Sequence, residues 1–122
     1  MPLALLYVDD DADIRTVVAM ALSLDPGIVL QVAGSGDEAL TLIAAGYRPD
    51  AIVLDVMMPG MDGPALLERL RVLPATATVP AIFMTARGRQ ADIDFYHARG
   101  AAGVIVKPFD PLTLATQVRA LL

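Results

Sequence analysis

Four short apolar runs in this chain each end at, or lead directly into, side chains that can do chemistry. Asp9, Asp10 and Asp11 follow the first run, Asp55 follows another, Thr85 ends another, and Lys107 follows the last. Carboxylates crowded within a few ångströms repel one another, and the usual relief is a hard divalent cation with oxygen ligands. Mg²⁺ suits a site where waters and a phosphate share the coordination. A lysine adds a compact positive charge that pairs with a carboxylate or a phosphoryl oxygen, and a threonine hydroxyl can donate to the same oxygen. A nucleophilic carboxylate, a cation beside it and two donors aimed at developing charge make a site for covalent phosphoryl transfer to aspartate. Asp55 is the expected nucleophile. It interrupts an apolar stretch, with residues 51–54 before it and Val56, Met57 and Met58 after, and a carboxylate in that setting needs a partner. Lys107 is the one lysine among nine basic residues, and so is singled out by composition alone.

The elements that must position these residues are legible in the periodicity. Residues 3–8, 28–32, 51–54, 81–85 and 103–106 are short and rich in Val, Ile, Leu or Phe, as strands buried on both faces are. Between them lie segments of helical period. Ile14, Val17, Val18, Ala21 and Leu22 form one face of a helix closed by Pro26 and Gly27, and Ser35 with Glu38 has the spacing of a capping box ahead of Ala39, Leu40 and Ile43. Asp62 is expected to cap a third helix bearing Leu66, Leu67 and Leu70, with Gly63 supplying the turn. A fourth helix over residues 90–99 has a weak stripe, since Ile93, Phe95 and Tyr96 spread around it, and Gly100 ends it. Asp110 and Pro111 open a fifth, carrying Leu114, Val118 and Leu121, with proline at the first helical position. Strict alternation of five strands and five helices predicts an α/β fold with a parallel sheet, one domain over residues 1–122, and its ligand site outside the carboxyl ends of the strands.

Composition removes several function classes. With no cysteine and only His97 for imidazole, disulfides, thiolate nucleophiles and Cys/His metal sites are excluded. A net charge of −5 with no run of basic residues argues against direct nucleic-acid binding and for docking to protein. Hydrophobic residues make up 56% of the chain, yet Pro74 and Pro80 break the longest uncharged stretch, so no membrane span is expected. The acidic turn directly after the first strand lacks the features of a secretion leader, and a cytoplasmic location is expected.

In order along the chain, Val8-Asp9-Asp10, then Asp55-Val56-Met57-Met58-Pro59-Gly60-Met61-Asp62-Gly63, then Met84-Thr85-Ala86, then Val106-Lys107-Pro108-Phe109 resemble the signature of the receiver domain of two-component response regulators, chemotaxis-regulator-like and single-domain. The resemblance covers the full chain. It implies a flavodoxin-like (βα)5 sandwich with strand order 2-1-3-4-5, an order for which a member of this family is a standard example. It implies that Asp55 accepts a phosphoryl group from a phosphohistidine on a sensor histidine kinase or histidine phosphotransfer protein. Asp10 would bind Mg²⁺ directly, Asp9 mainly through water, Asp55 as a further ligand and Met57 through its backbone carbonyl. Thr85 and Lys107 would hold the phosphoryl oxygens, and Pro108 would follow a cis peptide. The chain would then be a phosphorelay switch rather than an enzyme in its own right, passing its change of state to a downstream protein through helix 4, strand 5 and helix 5. Two departures from the pattern involve three positions. Val104 stands where the family often has Tyr or Phe, and Met57 and Arg87 occupy positions that tune access of water to an aspartyl phosphate, the apolar Met57 being expected to slow hydrolysis.

Plainer roles are expected elsewhere: Asp11 and Asp13 in a loop and helix cap, Asp50 as a loop charge, His97 at the surface. Three other functions compete. A haloacid-dehalogenase-type phosphatase would need Asp9 as nucleophile and a cap insertion for which there is no room. A flavin or nucleotide module would need a phosphate loop after the first strand, and a pseudo-receiver would bind partners without being phosphorylated.

Overall fold

A computed structural model describes residues 2–122. The chain runs β1 (Leu3–Val8), α1 (Ala12–Leu22), β2 (Ile28–Ala33), α2 (Gly36–Ala44), β3 (Ala51–Asp55), α3 (Gly63–Arg71), β4 (Ala81–Thr85), α4 (Gln90–Ala98), β5 (Gly103–Val106), α5 (Leu114–Leu121). All strand pairs are parallel and the sheet order is β2-β1-β3-β4-β5. The strands expected from their apolar runs are therefore present, β2 and β3 each reaching one residue further, so that Asp55 is the last residue of β3.

Alternation along each strand divides the core into two layers. Leu6, Val8, Ile52, Leu54 and Phe83 pack with Ile43, Leu66, Leu67, Leu70 and Tyr96 from α2, α3 and α4. Leu5, Tyr7, Val53, Ile82 and Met84 pack on the other face with Val18, Leu22, Leu114 and Val118 from α1 and α5. Every residue of β3 and β4 is buried, so neither strand can slip in register without driving apolar side chains into the wrong layer. Among the described residues no helix is long and apolar enough to cross a membrane.

Local chemistry departs from the sequence expectations at four points. Ser35 does cap α2, its hydroxyl accepting from the Glu38 N–H, but the Glu38 carboxylate reaches past it to the Gly34 N–H, so the capping box is only half formed. Asp62 caps α3 by accepting from the Ala65 N–H as expected, but Gly63 has no positive φ; the left-handed turn is at Gly60, φ +78°. Helix α5 starts at Leu114 rather than at Pro111, because the Asp110 carboxylate closes a turn on the Leu112 N–H and the Thr113 side chain makes no cap. In α4, whose Ile93, Phe95 and Tyr96 gave only a weak stripe, Tyr96 is buried against Phe83 with ring centroids 5.2 Å apart and so belongs to the core; Phe95 stays outside, under the Arg99 guanidinium.

Candidate functional site

Parallel pairing brings the carboxyl ends of all five strands to one edge, and strand order decides which of them meet there. The direction in which successive strands are added to the sheet reverses between β1 and β3, the position where this architecture opens a crevice. Asp9 and Asp10 follow β1, Asp55 ends β3 beside them, Thr85 ends β4 on the far side of β3, and Lys107 follows β5. β5 is two strands from β3, and only a long side chain can span that gap. The Lys107 Nζ donates to Asp55 Oδ1 at 2.7 Å and lies 3.7 Å from Asp9 Oδ2. One oxygen from each of Asp9, Asp10 and Asp55 lies within 4.8 Å of the others. All five side chains picked out in the sequence thus come to one edge, and the Lys107–Pro108 peptide is cis.

The three carboxylates are held differently. Asp9 is fixed at both oxygens, Oδ1 accepting from the Asp11 N–H and Oδ2 from the Tyr7 hydroxyl at 2.6 Å. Asp55 is buried and meets only Lys107, while Asp10 is exposed to water. Burial raises the Asp55 carboxyl above its ordinary value, and the negative charge of Asp9 adds to this; together they outweigh Lys107. Burial alone would lower the Lys107 ammonium, but its bond to Asp55 and the charges of Asp55 and Asp9 hold it above its usual value. A single ammonium among three carboxylates leaves the pocket negative. This all-oxygen donor set, with one ligand open to solvent, fits a hard divalent cation that keeps several waters; Asp9, Asp10 and Asp55 would hold it.

Thr85 is buried, and its hydroxyl oxygen accepts from the Arg87 N–H at 3.0 Å, which leaves the hydroxyl proton free to donate. The backbone N–H of Lys107 donates to the Thr85 carbonyl at 2.7 Å, so the two site residues are also joined through the β4–β5 ladder. Met57 is 69% exposed at the rim, and Val104 is half-buried in β5. The residues expected to be plain are so: Asp11 caps α1, Asp50 accepts from the Ala4 N–H, and His97 lies exposed on α4 with Nδ1 against the Ala101 carbonyl.

The sequence reading missed two members of the site. Tyr7 is fully buried and donates to Asp9; burial and that carboxylate push its phenol well above the ordinary range. Its signal was present, since a phenol in an aliphatic strand needs a partner and Asp9, two residues on, faces the same side. Arg15 donates to the Asp9 carbonyl at 2.8 Å, a contact that turns on the path of the loop and has no sequence signature.

Comparison with known proteins points the same way as this geometry. A family model described as the response regulator receiver domain matches residues 5–119. The DNA-binding response regulator MtrA of Mycobacterium tuberculosis is 38% identical over 116 residues, covering 95% of this chain and 49% of MtrA. The transcriptional regulatory protein AfsQ1 of Streptomyces coelicolor is 40% identical over 122 residues, covering 100% of this chain and 52% of AfsQ1. The chain thus spans about half the length of these two regulators. Among solved structures, the chemotaxis response regulator CheY4 of Vibrio cholerae superposes with a TM-score of 0.89 at 33% identity, each chain covered in full at 100%.

Proposed function

This chain belongs to the response regulator receiver domain family, and from that premise we propose that it is switched by transfer of a phosphoryl group from a phosphohistidine to Asp55. The observation that carries the reading is the Lys107 ammonium 2.7 Å from a buried aspartate whose carboxylate neighbours form an oxygen-donor pocket. In the forward step an Asp55 carboxylate oxygen attacks phosphorus as the bond from phosphorus to the donor nitrogen breaks, and the electron pair leaves with the imidazole. Lys107, already placed, neutralises charge developing on one phosphoryl oxygen, and the Thr85 hydroxyl donates to another. Asp9 and Asp10, with Asp55, would hold Mg²⁺, which supplies charge neutralisation for the transferring group. Tyr7 and the Asp11 N–H orient the Asp9 carboxylate.

The donor is a sensor histidine kinase or a histidine phosphotransfer protein, and the receiver assists its own phosphorylation and hydrolysis without turning over a separate substrate. The added charge of about −1.5 to −2 is carried outward through Thr85 and β5 to a downstream protein. With a net charge of −5 and no run of basic residues, the chain is suited to pass its output through protein contact. Val104, in place of an aromatic, leaves Thr85 and the β4–β5 ladder as the moving parts.

The test is intact mass after incubation with acetyl phosphate. With Mg²⁺ the chain is expected to gain one phosphoryl group, and with EDTA none. No gain with Mg²⁺ overturns the proposal in favour of a receiver that works unphosphorylated, and an equal gain in EDTA overturns the metal's role.

A further inference from the structure

Far from the carboxylates, at the carboxyl ends of α2 and α3, an open hollow of about 550 Å³ is walled by Leu40 and Ile43 on one side and by Val72, Leu73 and Pro74 on the other. Its charged lining residues are Arg48 and Arg69, both cationic in a chain of net charge −5. We propose that this α2–α3 groove docks an acidic amphipathic helix of a partner protein. This proposal does not rest on the phosphoacceptor reading.

Three observations fix the occupant. The first is charge: Arg69 pairs with no carboxylate among the described residues, and Arg48 uses one terminal nitrogen on the Ile43 and Tyr47 carbonyls, leaving its other N–H groups to a ligand. Carboxylates beside apolar residues complement such a surface. The second is the backbone. The groove lies between two helices and not along a sheet edge, so it offers no row of free N–H and C=O groups. A segment entering it must satisfy its own backbone, which a helix does. The third is rigidity. Arg71 ties the loop after α3 by donating to the Thr76 and Val79 carbonyls at 2.9 and 2.6 Å, and the buried Thr76 hydroxyl donates to the Leu70 carbonyl. The wall bearing Val72 and Leu73 is therefore set before anything binds, which keeps the ordering cost of association small.

A second copy of this chain, itself of net charge −5, is the competing occupant, and sedimentation in the test separates it from a partner protein. The groove is also at the opposite edge of the sheet from Asp55, so a partner seated there leaves the phosphoryl site open to its donor.

The test is selection of a displayed library of randomised helical peptides on the full chain, followed by binding measurements with the enriched peptides. Enriched peptides are expected to carry Asp or Glu flanking apolar residues at helical spacing. Arg69→Glu and Val72→Glu should each weaken them at least tenfold. Both residues are exposed, and unchanged melting curves will show that these variants fold. Leu112→Glu, on the remote α5 side, and Asp55→Asn should bind like the parent; the latter control separates this proposal from the chemistry at Asp55. Absence of enrichment, enriched peptides without carboxylates, or equal loss in Leu112→Glu would each overturn the proposal. So would self-association of the chain in sedimentation that Val72→Glu abolishes, which would make the occupant a second copy.

Discussion

Asp55→Asn is expected to do two opposite things: end phosphoryl uptake from acetyl phosphate and raise the melting temperature at neutral pH. The first follows from chemistry, because an amide oxygen is a poor nucleophile, Asp9 is already held at both carboxylate oxygens, and Asp10 is exposed to water. The second follows from electrostatics. Burial and Asp9 hold the Asp55 carboxyl above its ordinary value of 3.8, so the folded chain binds that proton more tightly than the unfolded chain. For a group raised in this way, the stabilising contribution is complete below the unfolded value and is lost as pH rises through the folded one. At pH 7 the ionised carboxylate is a net cost. Asparagine removes the charge, keeps an oxygen for Lys107, and leaves that ammonium to Asp9, 3.7 Å away. A gain of about 1 kcal/mol, or roughly 4 °C, is expected at pH 7. The difference should shrink as pH falls toward 4, and Mg²⁺ should raise the parent more than the variant. Thermal melts across that pH range check this, and a gap that does not change with pH would refute the electrostatic cause.

Gly63→Ala should be among the most damaging single-methyl additions in the chain. A Cβ at Gly63 would lie 2.6 Å from the Asp55 carbonyl oxygen, 3.1 Å from the Val56 Cα and 3.2 Å from the Asp55 carbonyl carbon. All three are backbone atoms, so no side chain can rotate aside, and the start of α3 or the end of β3 must move. The Gly63 N–H donates to the Val56 carbonyl at 3.0 Å, and that bond would go with the displacement. Overpacking of this kind costs about 3 kcal/mol, at the upper end of the usual range. Gly60→Ala is the comparison. It has φ +78° and nothing within 4 Å of an added Cβ, so only backbone strain of about 1 kcal/mol applies. Urea denaturation of both variants decides the matter: equal losses would show that close approach is not what requires glycine at position 63. Because two of the three contacted atoms belong to Asp55, phosphoryl uptake by Gly63→Ala should fall even where the variant remains folded.

The strands were legible because β1, β3 and β4 are buried on both faces and carry almost nothing but apolar side chains, which leaves few alternatives. Their end residues were legible for the converse reason, Asp55 and Lys107 standing out against an apolar run and an arginine-rich composition. Sheet order came from resemblance, since periodicity carries no information about which strands pair. The errors lie where one local pattern has two outcomes. Asp110-Pro111 has the chemistry of a helix start, yet the same carboxylate closes a turn on Leu112 and delays α5 to Leu114. Glu38 sits three residues after Ser35 but bonds to Gly34. Tyr96 became core because Phe83 offers it a ring to pack on, which is a tertiary fact with no trace in the period of α4. Gly63 reads as a turn residue because local sequence cannot show that β3 passes within contact of its α-carbon.

The Tyr7–Asp9 bond gives the chain an optical property. There is no tryptophan, and of the three tyrosines Tyr7 alone touches the carboxylate cluster. A phenol that donates to a carboxylate emits weakly, because its excited state passes the proton to that acceptor. Whatever draws the Asp9 charge elsewhere loosens this quenching. A change in the light emitted by the unlabelled chain therefore reports on the state of its acidic pocket, with Tyr7→Phe giving the constant background from Tyr47 and Tyr96.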